Sequence, residues 1–239
     1  MVISTKHKYV FVELPRTGSS AISNELIQYY DGHKILNKHS TYEKYLRVAS
    51  KEGKNYFVFS CIRNPLDRTV SYYFKFKNSE YYSEIYNKIV NSHKYTFKNI
   101  YFIKRYKFVR NSNCDFSDFF LKFYKLPYDD WSTLSHKKYD FIIRFENIEN
   151  DFEKALKLIG ICPLRKLPKK NITIGKNDNY TSYFNARAIN RAKKVFSPFM
   201  KKWGYDFPSE WGNLEKIFIY NVGLFIINIL KKLYWRHFK

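Results

Sequence analysis

Two short segments carry residue types that can hold anions. At 14–20 the chain reads Leu-Pro-Arg-Thr-Gly-Ser-Ser, between the apolar run YVFVEL at 9–14 and the helix-like SSAISNELIQYY. Main-chain N–H groups there, with the hydroxyls of Thr17, Ser19 and Ser20, suit a phosphate at the positive end of a helix dipole. Gly18 permits the turn, and the guanidinium of Arg16 can grip an oxyanion through two N–H groups. The segment is not GxxxxGK[ST], because it has one glycine and no lysine before the hydroxyl. The second segment, RNPLDRTVSYY at 63–73, follows the apolar run NYFVFSCI. Arg63 ends that run and Ser71 lies two turns into the next helix, so both can address a second phosphate. Asp67 and Arg68 read as partners in local salt bridges, and Tyr72 and Tyr73 as packing residues.

The positioning elements follow from apolar patterning. YVFVEL at 9–14, NYFVFSCI at 55–62 and YDFIIRF at 139–145 have the length and continuity of buried strands. Each is followed by a turn and a segment with helical spacing. Pro65 fits the first turn of the second helix, where its missing N–H does no harm. Residues 79–126 read as aromatic-rich helices, with Asp115 as an N-cap. Gly160 closes the helix that begins near 147, and Pro198 and Gly204 mark the end of the one beginning near 186. Strands alternating with helices predict an α/β fold with a central, mostly parallel sheet flanked by helices in three layers. One domain is expected over 1–212, without internal repeats. Ligands of such sheets bind beyond the carboxyl ends of the strands, where both anion segments lie.

Composition narrows the partners. Lys and Arg number 43 against 21 Asp and Glu, a net charge of +22, so an anionic partner is expected. The 22 Phe, 22 Tyr and 4 Trp fall largely in apolar helical and strand patterns, which suits a core better than base stacking. The basic loop 163–181 either closes over an anionic ligand or is a solvated charge run. Cys61, Cys114 and Cys162 are far apart, which argues against a disulfide framework and a zinc site. Cys61 reads as a small buried hydrophobe. The N-terminal residues show no signal-peptide pattern, so a cytoplasmic location is the default. The apolar stretch 217–230 is shorter than the ~20 residues of a bilayer span. The segment 213–239 is expected either to pack on the domain or to lie at a membrane surface, its basic and aromatic end among the headgroups.

Taken together, PRTGSS and RNPLDRTVSYY, each between a strand and a helix, resemble the sulfotransferases that use 3′-phosphoadenosine 5′-phosphosulfate (PAPS). The likeness is closest to the glycan branch, such as the heparan 2-O, chondroitin and dermatan sulfotransferases. YDFIIRFENIENDFEKALKLIGI, NITIGKNDNYTSYF and KKWGYDF extend it from Tyr9 to about Phe207. The resemblance implies a P-loop-like fold and PAPS as co-substrate. It implies that Arg16, Thr17, Gly18, Ser19 and Ser20 hold the 5′-phosphosulfate, and Arg63 and Ser71 the 3′-phosphate. That family often has Lys where this chain has Arg16, which supplies charge but does not readily give up a proton.

Sulfuryl transfer to a hydroxyl also needs a base with a pKa near neutrality. Of six histidines, His39 in NKHSTYEKY stands where the glycan branch carries its catalytic histidine. His33 is the reserve, and His7, His93, His136 and His237 have no such support. Glu146 either orients a basic group or pairs structurally. No metal is expected, since basic residues can balance the charge and no acidic cluster is evident. The expected acceptor is a glycan or another hydroxyl-bearing molecule, not nucleic acid. Two other readings stay open: a P-loop-type kinase, which would need Mg²⁺, and a basic nucleic-acid-binding protein without catalysis.

Overall fold

The computed structural model describes residues 1–93, 95–112, 114–128, 139–168 and 173–212, with 222–223, 225–227, 229–230 and 233 beyond them. The chain groups into two compact units. One comprises Met1–Asn64, Asp129–Asn171 and Ile226–Lys239; the other comprises Pro65–Tyr128 and Ile172–Phe225.

The first unit is built on five strands: β1 (Val2–Ser4), β2 (Tyr9–Val12), β3 (His33–Lys34), β4 (Phe57–Ile62) and β5 (Phe141–Arg144), in the order β3-β1-β2-β4-β5. β2, β4 and β5 are parallel, with Val12 opposite Ser60 and Ile62 opposite Arg144, so their carboxyl ends share one edge. β1 and β3 add antiparallel pairings on the far side of β2. Alternation along the strands makes the layers. Tyr9, Phe11, Phe59, Cys61 and Ile143 face Ile22 and Leu26 of α1 (Ser19–Tyr29) and Phe152, Ala155 and Leu156 of α7 (Ile148–Leu158). Val10, Val12 and Val58 face the opposite way, against Tyr42 and Tyr45 of α2 (Tyr42–Val48). The result is a three-layer α/β fold in which β2 is buried throughout and β4 along all but its first residue, while β5, at the end of the sheet, buries only Ile143.

The second unit is helical: α3 (Pro65–Asn78), α4 (Glu80–Asn91), α5 (Phe97–Asn111), α6 (Phe116–Phe123) and α8 (Ala186–Trp203). Its core is aromatic. Tyr73, Phe74 and Phe76 of α3 and Phe116, Phe119 and Phe120 of α6 pack with Phe184 and with Val195, Phe196 and Met200 of α8. Much of the chain's aromatic content is thus withdrawn from solvent. Asp115 caps α6 through a capping box with Asp118.

One expectation changes. Pro198 does not end its helix, which runs on to Trp203 and stops at Gly204 in the left-handed region. The buried stripe Val195, Phe196, Phe199 and Met200 outweighs the lost backbone bond, and the Ser197 hydroxyl donates to the Lys193 carbonyl one turn back. Arg68 gives a hydrogen bond to the Tyr128 hydroxyl, while Asp67 takes one from Lys176. Most of 213–239 lies outside the described residues, as do His136 and His237. The described part of that segment is helical and leaves Val222, Phe225, Ile226, Ile229, Leu230 and Leu233 exposed. Among the described residues no helix is long and apolar enough to cross a membrane.

Candidate active site

The carboxyl ends of β2, β4 and β5 meet, and the turns leaving them interlock. The first turn, 13–18, feeds α1 through Gly18, its N-cap, at φ 78°. A glycine is needed there on two counts. The left-handed backbone strains any L side chain, and a Cβ would lie 2.5 Å from Ile148 Cδ1 and 3.1 Å from Phe145 Cδ2. Gly18→Ala is expected to destabilise the fold by about 1–2 kcal/mol from the backbone alone. Urea denaturation measures this, and adding Ile148→Ala relieves the steric part only.

Having no side chain, Gly18 offers no capping oxygen to the first turn of α1, and that turn has no acidic residue. The hydroxyls are placed unequally. Thr17 Oγ1 and Ser19 Oγ both donate to the Leu14 carbonyl, at 3.1 and 2.7 Å, and both side chains are buried. They shape the turn from inside. Ser20 lies nearer the surface, where its Oγ accepts a 2.8 Å hydrogen bond from Lys38 Nζ. The Cys61 thiol ties β4 to this turn by donating to the Thr17 carbonyl, and burial pushes its pKa well up. It is a packed thiol, not a nucleophile.

At the end of β4, the Arg63 guanidinium lies over the Phe145 ring, 4.0 Å from the centroid. Phe145 begins a short 3₁₀ turn after β5 and also borders Gly18. Glu146, in the same turn, accepts a 2.6 Å hydrogen bond from the Asn64 backbone N–H. The third turn therefore holds the second, through a ring under Arg63 and a carboxylate on the following peptide. Ser71 belongs to α3 in the other unit, where its side chain is buried.

His39 follows β3 in a tight turn, with Leu36 and His39 both at positive φ, 57° and 64°. Arg16 shares this conformation at 66°. Each costs about 1–2 kcal/mol for an L residue, and such strain persists where the surrounding structure enforces it. The enforcing contact at His39 lies between Nδ1 and the Glu13 carbonyl, 2.9 Å apart. A carbonyl only accepts, so Nδ1 carries the proton and Nε2 is left with a lone pair. Partial burial lowers the imidazole pKa below its ordinary value. The hydrogen bond to Glu13 opposes this, and the Lys38 charge adds to it. His33 lies in β3 at the level of Val10, with β1 between it and β2. His7 and His93 lie in turns, where the His7 N–H meets Ser4 Oγ.

The first unit therefore gathers the first turn, Lys38, His39 and Arg63 at one sheet edge. Lys38, Phe145 and the Glu13 carbonyl were not apparent as partners from sequence. Two cations of the basic loop are already engaged: Arg165 forks onto the buried Glu25 at 2.8 and 2.9 Å, and Lys176 pairs with Asp67. Among the described residues, no group of three or more His, Cys, Asp and Glu is placed to hold a metal ion.

A three-layer sheet with an anion-binding turn between its first parallel strand and helix has the architecture of P-loop-like group transferases. The model of the sulfotransferase family matches residues 1–206, and the chain belongs to that family. No curated protein and no solved structure matches it. It is a transferase acting on sulfuryl groups.

Proposed function

We propose that the chain transfers the sulfuryl group of PAPS to a hydroxyl on a carbohydrate, with His39 as the base. The observation that carries this reading is the Nδ1 contact of His39 with the Glu13 carbonyl, which leaves Nε2 able to accept a proton beside the anion-binding turn. The edge suits the donor: a helix N-terminus without a side-chain cap or acid in its first turn, with Arg16, Lys38 and Arg63 in the same unit. When bound, the donor supplies a sulfuryl group on a phosphate that leaves with the bond's electron pair. The backbone N–H groups of the first turn and the charge of Arg16 hold the 5′ end, and Arg63 holds the 3′-phosphate. Thr17 and Ser19 contribute by fixing the turn, and Ser20 by its hydroxyl. His39 Nε2 takes the acceptor's proton as its oxygen attacks, and the positive edge stabilises the departing phosphate. The carbohydrate acceptor rests on the likeness to the glycan branch and on the chain's net positive charge.

Calorimetry with adenosine 3′,5′-bisphosphate in EDTA, against adenosine 5′-monophosphate, tests the donor. Binding near the micromolar range, about −8 kcal/mol, that requires the 3′-phosphate is expected. Folded protein that binds neither nucleotide overturns the assignment. Sulfuryl transfer that persists in EDTA separates this chemistry from a Mg²⁺-dependent kinase.

A further inference from the structure

The turn that carries His39 also delivers an ammonium group to the start of α1. Lys38 Nζ donates to Ser20 Oγ at 2.8 Å, in the first turn of the helix. That is an unfavourable place for a cation, because the helix dipole is positive there and the first turn contains no carboxylate. The partner is a neutral hydroxyl, which does nothing to offset the charge. The turn is nonetheless held in place. Leu36 and His39 adopt left-handed backbone on either side of Lys38, Ser40 N–H returns to the Asn37 carbonyl, and His39 is pinned to Glu13. A held turn that brings an exposed lysine to a positive helix end makes sense when an anion completes the arrangement.

We propose that Lys38 is a catalytic residue, donating a hydrogen bond to the oxygen on which negative charge develops as the 5′-phosphate leaves. This rests on the sulfotransferase reading above. The step balances without further reagents. The acceptor oxygen forms the new bond to sulfur, its proton passes to His39 Nε2, and the old sulfur–oxygen bond breaks with its electron pair going to the phosphate. Lys38 keeps its proton throughout and stabilises that oxygen as a fixed donor. The Ser20 hydroxyl holds the ammonium in reach before the donor arrives. Lys38 also acts on the base, because its charge opposes protonation of His39 and keeps the imidazole ready to accept.

The test compares Lys38→Met, Lys38→Arg and a control, Lys54→Met, whose lysine lies in the turn before β4 at the opposite edge of the sheet. Adenosine 3′,5′-bisphosphate is the binding probe, followed by calorimetry. Lys38→Met is expected to weaken it about tenfold and to lower turnover by about 10–10². Lys38→Arg should restore most of the binding, and Lys54→Met should change neither. NMR titration of His39 without any ligand gives a readout apart from activity: its pKa rises in Lys38→Met. Lys38→Met that equals the parent in binding, turnover and His39 titration overturns the role of Lys38 while leaving the donor assignment standing. Parent protein that ignores the bisphosphate overturns the donor assignment and the role of Lys38 together.

Discussion

His39→Ala lowers turnover by about 10²–10⁴ while affinity for adenosine 3′,5′-bisphosphate stays as in the parent. The size of the loss follows from the single task given to the ring, which is to accept the acceptor's proton during attack. The hydrogen bond from Nδ1 to the Glu13 carbonyl sets the tautomer, so the Nε2 lone pair is present whenever the ring is neutral. Burial lowers the ring's pKa from 6.5, and the nearby ammonium of Lys38 lowers it further. Activity should therefore fall on the acid side with a midpoint below 6.5, where the imidazole takes up a proton from water. In His39→Ala this limb disappears from the residual rate. The sign for stability runs the same way. A depressed histidine pKa favours the fold above the unfolded-state value and loses that contribution as pH falls through the folded one. Circular dichroism across the pH range separates the two effects. An acid limb that survives in His39→Ala places the base elsewhere, and His33 becomes the next residue to replace.

The parallel strands were legible because short continuous apolar runs of strand length mark strands that are largely covered, as β2 and β4 are. YVFVEL, NYFVFSCI and YDFIIRF contain Tyr9–Val12, Phe57–Ile62 and Phe141–Arg144. β1 and β3 were not, because three and two residues carry no periodicity, and their pairing depends on neighbours in the sheet. The identity of the anion-binding turn could be read from its residue types. The direction of its side chains could not: Thr17 and Ser19 look like ligand hydroxyls in sequence, yet both bind the Leu14 carbonyl. The same holds for charge. Arg165 and Lys176 look like free surface cations, but their carboxylates come from Glu25 and Asp67, distant in the chain. Lys38 was hidden for a related reason, since only the tight turn at 36–39 brings its ammonium to Ser20.

Arg63→Ala weakens binding of adenosine 3′,5′-bisphosphate by about 2–4 kcal/mol, or roughly 30- to 1,000-fold in Kd. The structure explains why one side chain can matter so much. Arg63 leaves the end of the central parallel strand, and its guanidinium rests on the Phe145 ring at 4.0 Å, which limits the rotamers open to it before a ligand arrives. The peptide beyond it is held by Glu146 through the Asn64 N–H. Little ordering is then left to oppose binding, and a planar fork on a fixed base can meet a phosphate through two N–H groups. Arg63→Lys keeps the charge but loses the fork and its stacking, so its affinity should fall between parent and alanine variant. The loss should be confined to nucleotides that carry the 3′-phosphate, and adenosine 5′-monophosphate should bind parent and variant alike. Equal affinity of parent and Arg63→Ala for the bisphosphate removes Arg63 from the site and leaves its stacking on Phe145 as a packing contact at the end of the sheet.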